Sequence, residues 1–243
     1  MAHSYLVEAL DDAAIGGEVV LGGAEARHAV TVSRLRVGDP LRVGNGRGLV
    51  VDGTVQEARA DRVVMVASSV TRHPRPDVTV ALVQALAKGD RDELAVQAAT
   101  ELGVDEVVPW SAARSISRWE GAKVEKGLAR WRAITREATK QAVRPWGPVV
   151  GGLVGTKQLA ARARDERMLV LEPTASTPLS TVDLGGASSV LIVVGPEGGV
   201  SPGELEALEA AGATPVRLGD SVLRTSTAGP AALAVLSVRL GRW

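Results

Sequence analysis

The 243-residue chain contains no cysteine. This absence excludes disulfide bonds, cysteine metal ligands and a thiolate nucleophile. It also suits the reducing interior of a cell, so we expect a cytoplasmic protein.

Long hydrophobic runs are absent as well. No stretch approaches the roughly 20 apolar residues that a membrane span requires, and Met1 to Asp12 lacks a basic region followed by an apolar core. We therefore expect no membrane association. The three histidines, His3, His28 and His73, lack metal-ligand spacing, so no metal site is predicted.

An excess of charge of either sign is also lacking, because 28 Lys and Arg balance 28 Asp and Glu. Nucleic-acid binding would therefore have to come from local clusters. Five arginines and one acid lie between Arg27 and Arg47, and nine Lys or Arg against three Glu lie between Ser111 and Gly147. Such clusters suit contacts to RNA phosphates, although a solvated protein surface explains them about as well.

Two domains are predicted. Residues 1–72 show short apolar runs broken by glycines, which is typical of a small β-barrel or sandwich, with one helix from Ala26 to Leu35. The segment from His73 to Pro76 contains two prolines, which predicts a linker. Residues 73–243 alternate strand-like and helix-like segments, which predicts an α/β domain with a largely parallel sheet.

Helical periodicity in the second domain predicts three helices before residue 167. The first runs from Asp90 to Leu102, with Leu94 on its apolar face. The second runs from Lys123 to Arg144 and the third from Thr156 to about Glu166. The apolar stripe of the second consists of Leu128, Trp131, Ile134, Thr135 and Ala138.

Three turns are expected to leave the ends of strands in the C-terminal half. The first follows a strand ending at Leu171, the second follows Val194, and the third follows a strand predicted from Val216 to Leu218. The second turn is rich in glycine and precedes a helix capped by Ser201. Loops at the ends of parallel strands are where ligand clefts form in α/β folds.

Other interpretations of the second turn are less favourable. It lacks the Lys before Ser or Thr of a phosphate loop and the spacing of a dinucleotide-binding loop. Gly199 to Gly203 matches a nucleophile elbow, but that fold needs a later His and none follows His73. A purely structural turn remains a possible reading of this motif by itself.

Short motifs are distributed over nearly the whole chain. They are Arg27, His28, Arg34, Leu35 and Arg36; Gln84, Lys88, Gly89, Asp90 and Arg91; Thr100 to Val104; Arg114 and Ser115; Arg130, Trp131, Glu137, Gln141 and Arg144; Val194 to Gly199; and Leu218, Gly219, Leu223 to Thr225, Thr227 and Ala228. Their order and spacing are more specific than any one of them. Together they resemble the motifs of the bacterial ribosomal RNA small-subunit methyltransferase E family of the SPOUT class.

This resemblance implies a PUA-like β-barrel followed by a SPOUT α/β domain with a C-terminal trefoil knot. It further implies a homodimer that uses S-adenosylmethionine to methylate N3 of a uridine in 16S rRNA of the small ribosomal subunit. The implied cofactor-binding residues are Leu171, Glu172, Pro173, Gly195, Pro196, Glu197, Gly199, Leu218, Gly219, Leu223, Thr225, Thr227 and Ala228. A ribose 2′-O-methyltransferase and a noncatalytic RNA-binding assembly factor remain alternatives.

The remaining expectations concern catalysis and RNA. Arg224 and Glu197 are the candidate catalytic residues, although an ion pair between Arg224 and Glu197 or Glu172 is nearly as plausible. The candidate RNA-binding residues are Arg27, His28, Arg34, Arg36, Lys88, Arg91, Arg114, Arg136 and Arg144. Asp220, Ser221 and Ser226 depart from the family pattern, and Ser226 is expected to cap the last helix.

Overall fold

The computed structural model describes residues 3–243 and contains two compact units. The first extends to Arg75 and includes Thr139–Gly147. The second comprises Pro76–Ala138 and Pro148–Trp243. Among the described residues, no helix is both long enough and apolar enough to cross a membrane.

The first unit is built on one five-stranded sheet. Its elements are β1 (His3–Leu6), β2 (Glu18–Gly22), α1 (Gly23–Thr31), β3 (Pro40–Gly44), β4 (Leu49–Arg59) and β5 (Arg62–Arg72). The strand order is β1-β3-β4-β5-β2, in which only β1 and β3 are parallel. The apolar runs seen in the sequence all become strands, and their inward side chains form one core with Ala26 and Ala29 of α1.

The helix predicted from Ala26 to Leu35 was placed too late in the chain, because α1 begins at Gly23. It ends at Thr31 rather than at Leu35, and Arg34 adopts a positive φ of 54° that a helix cannot contain. Arg27, Arg34 and Arg36 are exposed to solvent.

The second unit is an α/β sandwich around a six-stranded parallel sheet. Its elements are β6 (Thr79–Ala85), α2 (Arg91–Glu101), β7 (Glu106–Trp110), α3 (Ala122–Gln141), β8 (Val149–Val150), α4 (Thr156–Arg162), β9 (Arg167–Leu171), β10 (Ser189–Val194), α5 (Pro202–Ala210), β11 (Thr214–Val216) and α6 (Thr225–Arg239). The last three residues of α3 belong to the first unit. The order β11-β9-β10-β6-β7-β8 places β10 and β6 near the centre. Both are almost fully buried, which explains their unbroken apolar sequences.

Helix α2 differs from the periodicity prediction, whereas helix α3 agrees with it. Leu94 of α2 is 49% exposed, and the buried face of that helix carries Asp92, Ala95, Val96 and Ala99 instead. Short side chains face inward because α6 packs closely against α2. The predicted stripe of α3 is confirmed, since Leu128 and Trp131 are buried.

Helix α6 approaches the sheet closely at Gly229. A Cβ atom at that position would lie 2.8 Å from Cδ1 of Leu82 and 3.4 Å from Cγ2 of Val194. Any side chain would therefore push α6 away from β6 and β10. Past the helix, Arg242 forms a buried ion pair with Asp105 at 2.6 Å and donates hydrogen bonds to the carbonyls of Val78 and Gly103.

Asp92 gives the second unit a pH-sensitive position. Burial raises its pKa to about 6, although hydrogen bonds from the amides of Ala87 and Glu93 oppose the shift. Because the native state holds the proton more tightly than the unfolded chain, stability falls as pH rises from about 4 to about 6.

We expect Asp92→Asn to remove this dependence. The free energy of unfolding of the variant minus that of the parent should rise by about 2–3 kcal/mol between pH 4 and 7, since each pKa unit corresponds to about 1.4 kcal/mol. Urea unfolding at several pH values measures it. Asp90→Asn, at an exposed position two residues earlier in the chain, is the control, and its difference from the parent should not change with pH. A pH-independent difference for Asp92→Asn would contradict the assignment.

Candidate functional site

The three predicted strand-end turns meet in one pocket of the second unit. Because β9, β10 and β11 are parallel neighbours or next neighbours, their carboxyl ends lie at one edge of the sheet. The pocket has a volume of about 350 Å³. Its walls come from residues 171–173 at the end of β9, from 194–197, 199 and 200 at the end of β10, and from 216–219, 221–225 and 228 between the end of β11 and the start of α6.

Nearly all the predicted cofactor-binding residues line this pocket. The exception is Thr227, which is exposed in the first turn of α6 and does not reach the wall. The candidate catalytic residues Glu197 and Arg224 also lie in the wall, together with Arg91. Sequence reasoning missed Arg217 and Val222, which line the pocket as well.

The second turn has a defined hydrogen-bonded shape. The amide of Gly199 donates to the carbonyl of Pro196 at 2.8 Å, and Gly199 has a φ of +71° that favours glycine. The predicted cap of the next helix is confirmed, because Ser201 and Glu204 form a capping box. Glu204 also accepts hydrogen bonds from the Ala113 amide and the Thr156 hydroxyl, each at 2.8 Å.

Backbone and side-chain hydrogen bonds join the first and third turns. The Glu172 amide donates to the Val216 carbonyl at 2.9 Å, and the Leu179 amide donates to the Arg217 carbonyl at 2.8 Å. The Arg217 guanidinium donates to the carbonyls of Ala175 and Ser176. Residues 172–179 and 216–217 therefore form one connected wall.

Thr225 joins the start of α6 to the second turn. Its hydroxyl donates to the Gly195 carbonyl at 2.9 Å and accepts from Nε2 of Gln84 at 2.8 Å. Gln84 is fully buried, and its Oε1 atom has no partner among residues 3–243. All three turns are thus connected to one another or to the sheet.

The ion pair considered between Arg224 and Glu197 is not formed. Oε1 of Glu197 accepts from Nη1 of Arg91 at 2.8 Å and from the Lys88 amide at 3.0 Å. Burial opposes the ionised form, but the hydrogen bonds from the Glu197 and Lys88 amides and from Arg91 outweigh it and lower the pKa of Glu197. Sequence reasoning assigned Lys88 and Arg91 to RNA and missed their contact with this carboxylate.

The guanidinium of Arg224 has no bonding partner among residues 3–243. Glu172 accepts from the amide and hydroxyl of Thr174 rather than from Arg224. Among residues 3–243, Arg224 has no ion pair or side-chain hydrogen bond, and it is exposed at the pocket wall. It is also the N-cap residue of α6, so the expectation that Ser226 caps this helix was wrong.

Apart from Lys88 and Arg91, which contact Glu197, the predicted RNA-binding residues fall into three groups. Arg27, His28, Arg34 and Arg36 are exposed in the first unit. In the second unit Arg114 is bonded to the carbonyls of Gly198 and Val200. Arg136 and Arg144 are half-buried and have partners of their own. No cluster of three potential metal ligands occurs in residues 3–243.

Comparison with known proteins identifies the family. A family model described as an RNA methyltransferase domain matches residues 74–237, and one described as an RNA methyltransferase PUA domain matches residues 21–66. The ribosomal RNA small subunit methyltransferase E of Mycobacterium bovis is 43% identical over 250 aligned residues, covering 100% of this chain and 94% of that protein. The chain belongs to this methyltransferase E family.

Solved structures agree with this assignment. A Legionella pneumophila methyltransferase in complex with S-adenosylmethionine is 26% identical, with a TM-score of 0.84 and 98% of each chain covered. A Neisseria gonorrhoeae member, 24% identical over 98% of each chain, has a TM-score of 0.86 and supports the fold. The family and the α/β methyltransferase fold with a PUA-like domain, both expected from the motifs, are confirmed.

The Thr225 hydroxyl gives a direct test of how the pocket is held together. Thr225→Val keeps the shape of the side chain but leaves the Gly195 carbonyl and the Gln84 amide each without one buried partner. We expect it to lower the free energy of unfolding by about 1–3 kcal/mol. Thr225→Ser retains the hydroxyl and should lose less; equal losses in urea unfolding would show that the hydroxyl contributes nothing.

Proposed function

We propose that this chain methylates N3 of a uridine in 16S rRNA of the small ribosomal subunit, using S-adenosylmethionine. The supporting observation is the convergence of three connected turns on one pocket in a member of the methyltransferase E family. A ribose 2′-O-methyltransferase would need a similar pocket, and the experiment below separates the two.

The pocket fits the proposed cofactor. Its volume of about 350 Å³ is within the range of about 300–1,000 Å³ for small-molecule sites. Leu171, Val216, Leu218 and Leu223 supply apolar walls for a flat ring, and the Gly195–Gly199 turn supplies backbone polar groups. When bound, S-adenosylmethionine supplies a methyl group on a positively charged sulfur.

Arg224 is proposed to act on the uracil ring. Removal of the N3 proton leaves negative charge on the ring oxygens, and a fixed cation beside them would stabilise that charge. The guanidinium of Arg224 is exposed in the pocket wall without an ion pair in residues 3–243, so it can take this role. Positioning of the base against the methyl group would supply much of the remaining acceleration.

Glu197 is better suited to holding the turn than to accepting the N3 proton. Its carboxylate accepts hydrogen bonds from Arg91 and Lys88, and its pKa is lowered. A base whose pKa lies well below the operating pH abstracts protons poorly. We therefore assign Glu197 a positioning role and name no general base.

The proposal includes a C-terminal trefoil knot and a homodimer, as the family resemblance implies. Helix α6 follows β11, which lies at the edge of the sheet, yet it packs against α2, β6 and β10. This packing supports a chain that returns across the ends of the strands. Small residues at positions 228, 229, 231 and 232 allow this close return.

The function is tested by deleting the gene and mapping 16S rRNA modifications by mass spectrometry. We expect one uridine to lose an N3 methyl group, and purified protein with S-adenosylmethionine should restore it on small subunits or on free rRNA. Loss of a ribose methyl group would favour the 2′-O alternative. An unchanged methylation pattern would contradict both enzymatic assignments and favour an RNA-binding assembly factor.

Replacing Arg224 tests its catalytic assignment. Arg224→Gln should lower kcat by about 10²-fold or more, the range for removing one donor that stabilises developing charge, and should change the S-adenosylmethionine dissociation constant little. Single-turnover methylation and calorimetry measure the two effects. Arg217→Gln, whose parent side chain bonds Ala175 and Ser176 instead, is the comparison; an unchanged rate for Arg224→Gln would refute the assignment.

RNA binding is tested with exposed cations of the first unit. Arg27→Gln and Arg36→Gln should each weaken RNA binding and lower the salt dependence by about one ion per lost phosphate contact. Cofactor binding should stay at the parent value, because both residues lie outside the unit that forms the pocket. Filter binding at several salt concentrations measures this, and unchanged salt slopes would remove these residues from the RNA contact.

A further inference from the structure

The second turn of the pocket, residues 195–200, is contacted by Arg114 on the segment that follows β7. Nη1 of Arg114 donates to the carbonyl of Gly198 at 2.9 Å and lies 3.4 Å from the carbonyl of Val200. A charged donor shared by two carbonyls of one turn fixes the relative orientation of their peptide planes.

Gly198 shows independently how closely Arg114 lies against the turn. A Cβ atom at Gly198 would be 3.3 Å from Cβ and 3.5 Å from Cδ of Arg114. A methyl group at 198 would therefore touch the aliphatic part of the arginine, and the two would have to move apart by a few tenths of an ångström. The hydrogen bonds and the packing place Arg114 along the same backbone.

The segment that carries Arg114 is itself anchored. The Ala113 amide donates to Glu204 at 2.8 Å, and Arg118 donates to the carbonyls of Ala112 and Ala113 at 2.9 and 3.0 Å. On another side of the turn, Glu197 is held by Lys88 and Arg91. The turn is thus held by two separate segments of the chain.

We propose that Arg114 is a positioning residue for the cofactor pocket, holding residues 195–200 in the conformation that binds S-adenosylmethionine. This revises the expectation that Arg114 contacts RNA, and it rests on the proposed cofactor. The guanidinium of Arg114 donates hydrogen bonds to the carbonyls of the turn. Removal of the guanidinium allows the turn to relax and weakens cofactor binding.

The experiment compares four variants with the parent by titrating S-adenosylmethionine calorimetrically without RNA. Arg114→Met removes the donor, and Arg114→Lys keeps a charge that can reach one carbonyl. Gly198→Ala keeps every charge but adds a methyl group where Arg114 crosses the turn. Lys126→Met is the control, since Lys126 is an exposed cation of the same unit without a side-chain bond in residues 3–243.

We expect Arg114→Met to weaken cofactor binding about tenfold or more, with Arg114→Lys in between and Lys126→Met unchanged. Gly198→Ala should also raise the dissociation constant for S-adenosylmethionine, and this variant tests the proposal even if Arg114→Met folds poorly. In methylation assays Arg114→Met should raise KM for S-adenosylmethionine while kcat at saturation stays within about twofold. RNA affinity and its salt slope should stay at the parent values.

Two results would overturn this inference and leave the proposed function unaffected. One is parent-like cofactor binding by Arg114→Met and Gly198→Ala, with the parent binding well. The other is a loss of RNA affinity in Arg114→Met, with a salt slope reduced by about one and unchanged cofactor binding. A parent protein that does not bind S-adenosylmethionine would instead overturn the proposed function, and this inference with it.

Discussion

The parallel direction of β9, β10 and β11 is the constraint on which the proposed site depends. Parallel strands bring their carboxyl ends to the same edge, so three loops separated in sequence become neighbours. Antiparallel pairing of any one of these strands would move its loop to the opposite edge. The unbroken apolar runs of β9 and β10 bury these strands in the parallel sheet and thus place their carboxyl ends where a ligand can bind.

Polar contacts then convert neighbouring loops into a fixed pocket. Arg217 joins the first turn to the third, and Thr225 joins the third to the second. Arg91, in the pocket wall, and Arg114, which does not line the pocket, both bond to the second turn. Several charged residues around the pocket are therefore committed to protein partners. Arg224 differs from them, because it lines the pocket without such a partner in residues 3–243, and this difference favours it as the group facing the substrate.

Much of the fold follows from the sequence because buried strands and capped helices leave local signals. The continuous apolar run at Val190 to Val194 and the Ser201 and Glu204 spacing each correspond to the predicted element. The buried face of α2 was mispredicted because the backbone of α6 lies close to it and leaves room only for small side chains. Leu94 therefore lies on the exposed face. Periodicity within one helix carries no information about how near the next helix comes.

The site was predictable as a set of turns but not as a set of partners. Glycine content and strand ends located residues 195–199, whereas the pairing of Glu197 with Arg91 joins positions 106 residues apart and has no local signal. The same holds for Arg114, which composition groups with the basic segment although its donors face Gly198. Charge counts describe how many cations a segment has, and only the fold decides which carbonyls or anions they meet.

The close contact of Gly229 with Leu82 restricts how this family member can diverge. Because a methyl group at 229 would overlap the leucine, the two positions cannot vary independently. A homologue with alanine at 229 should compensate with a shorter residue at 82, and the pair would then appear as correlated change between helix α6 and strand β6.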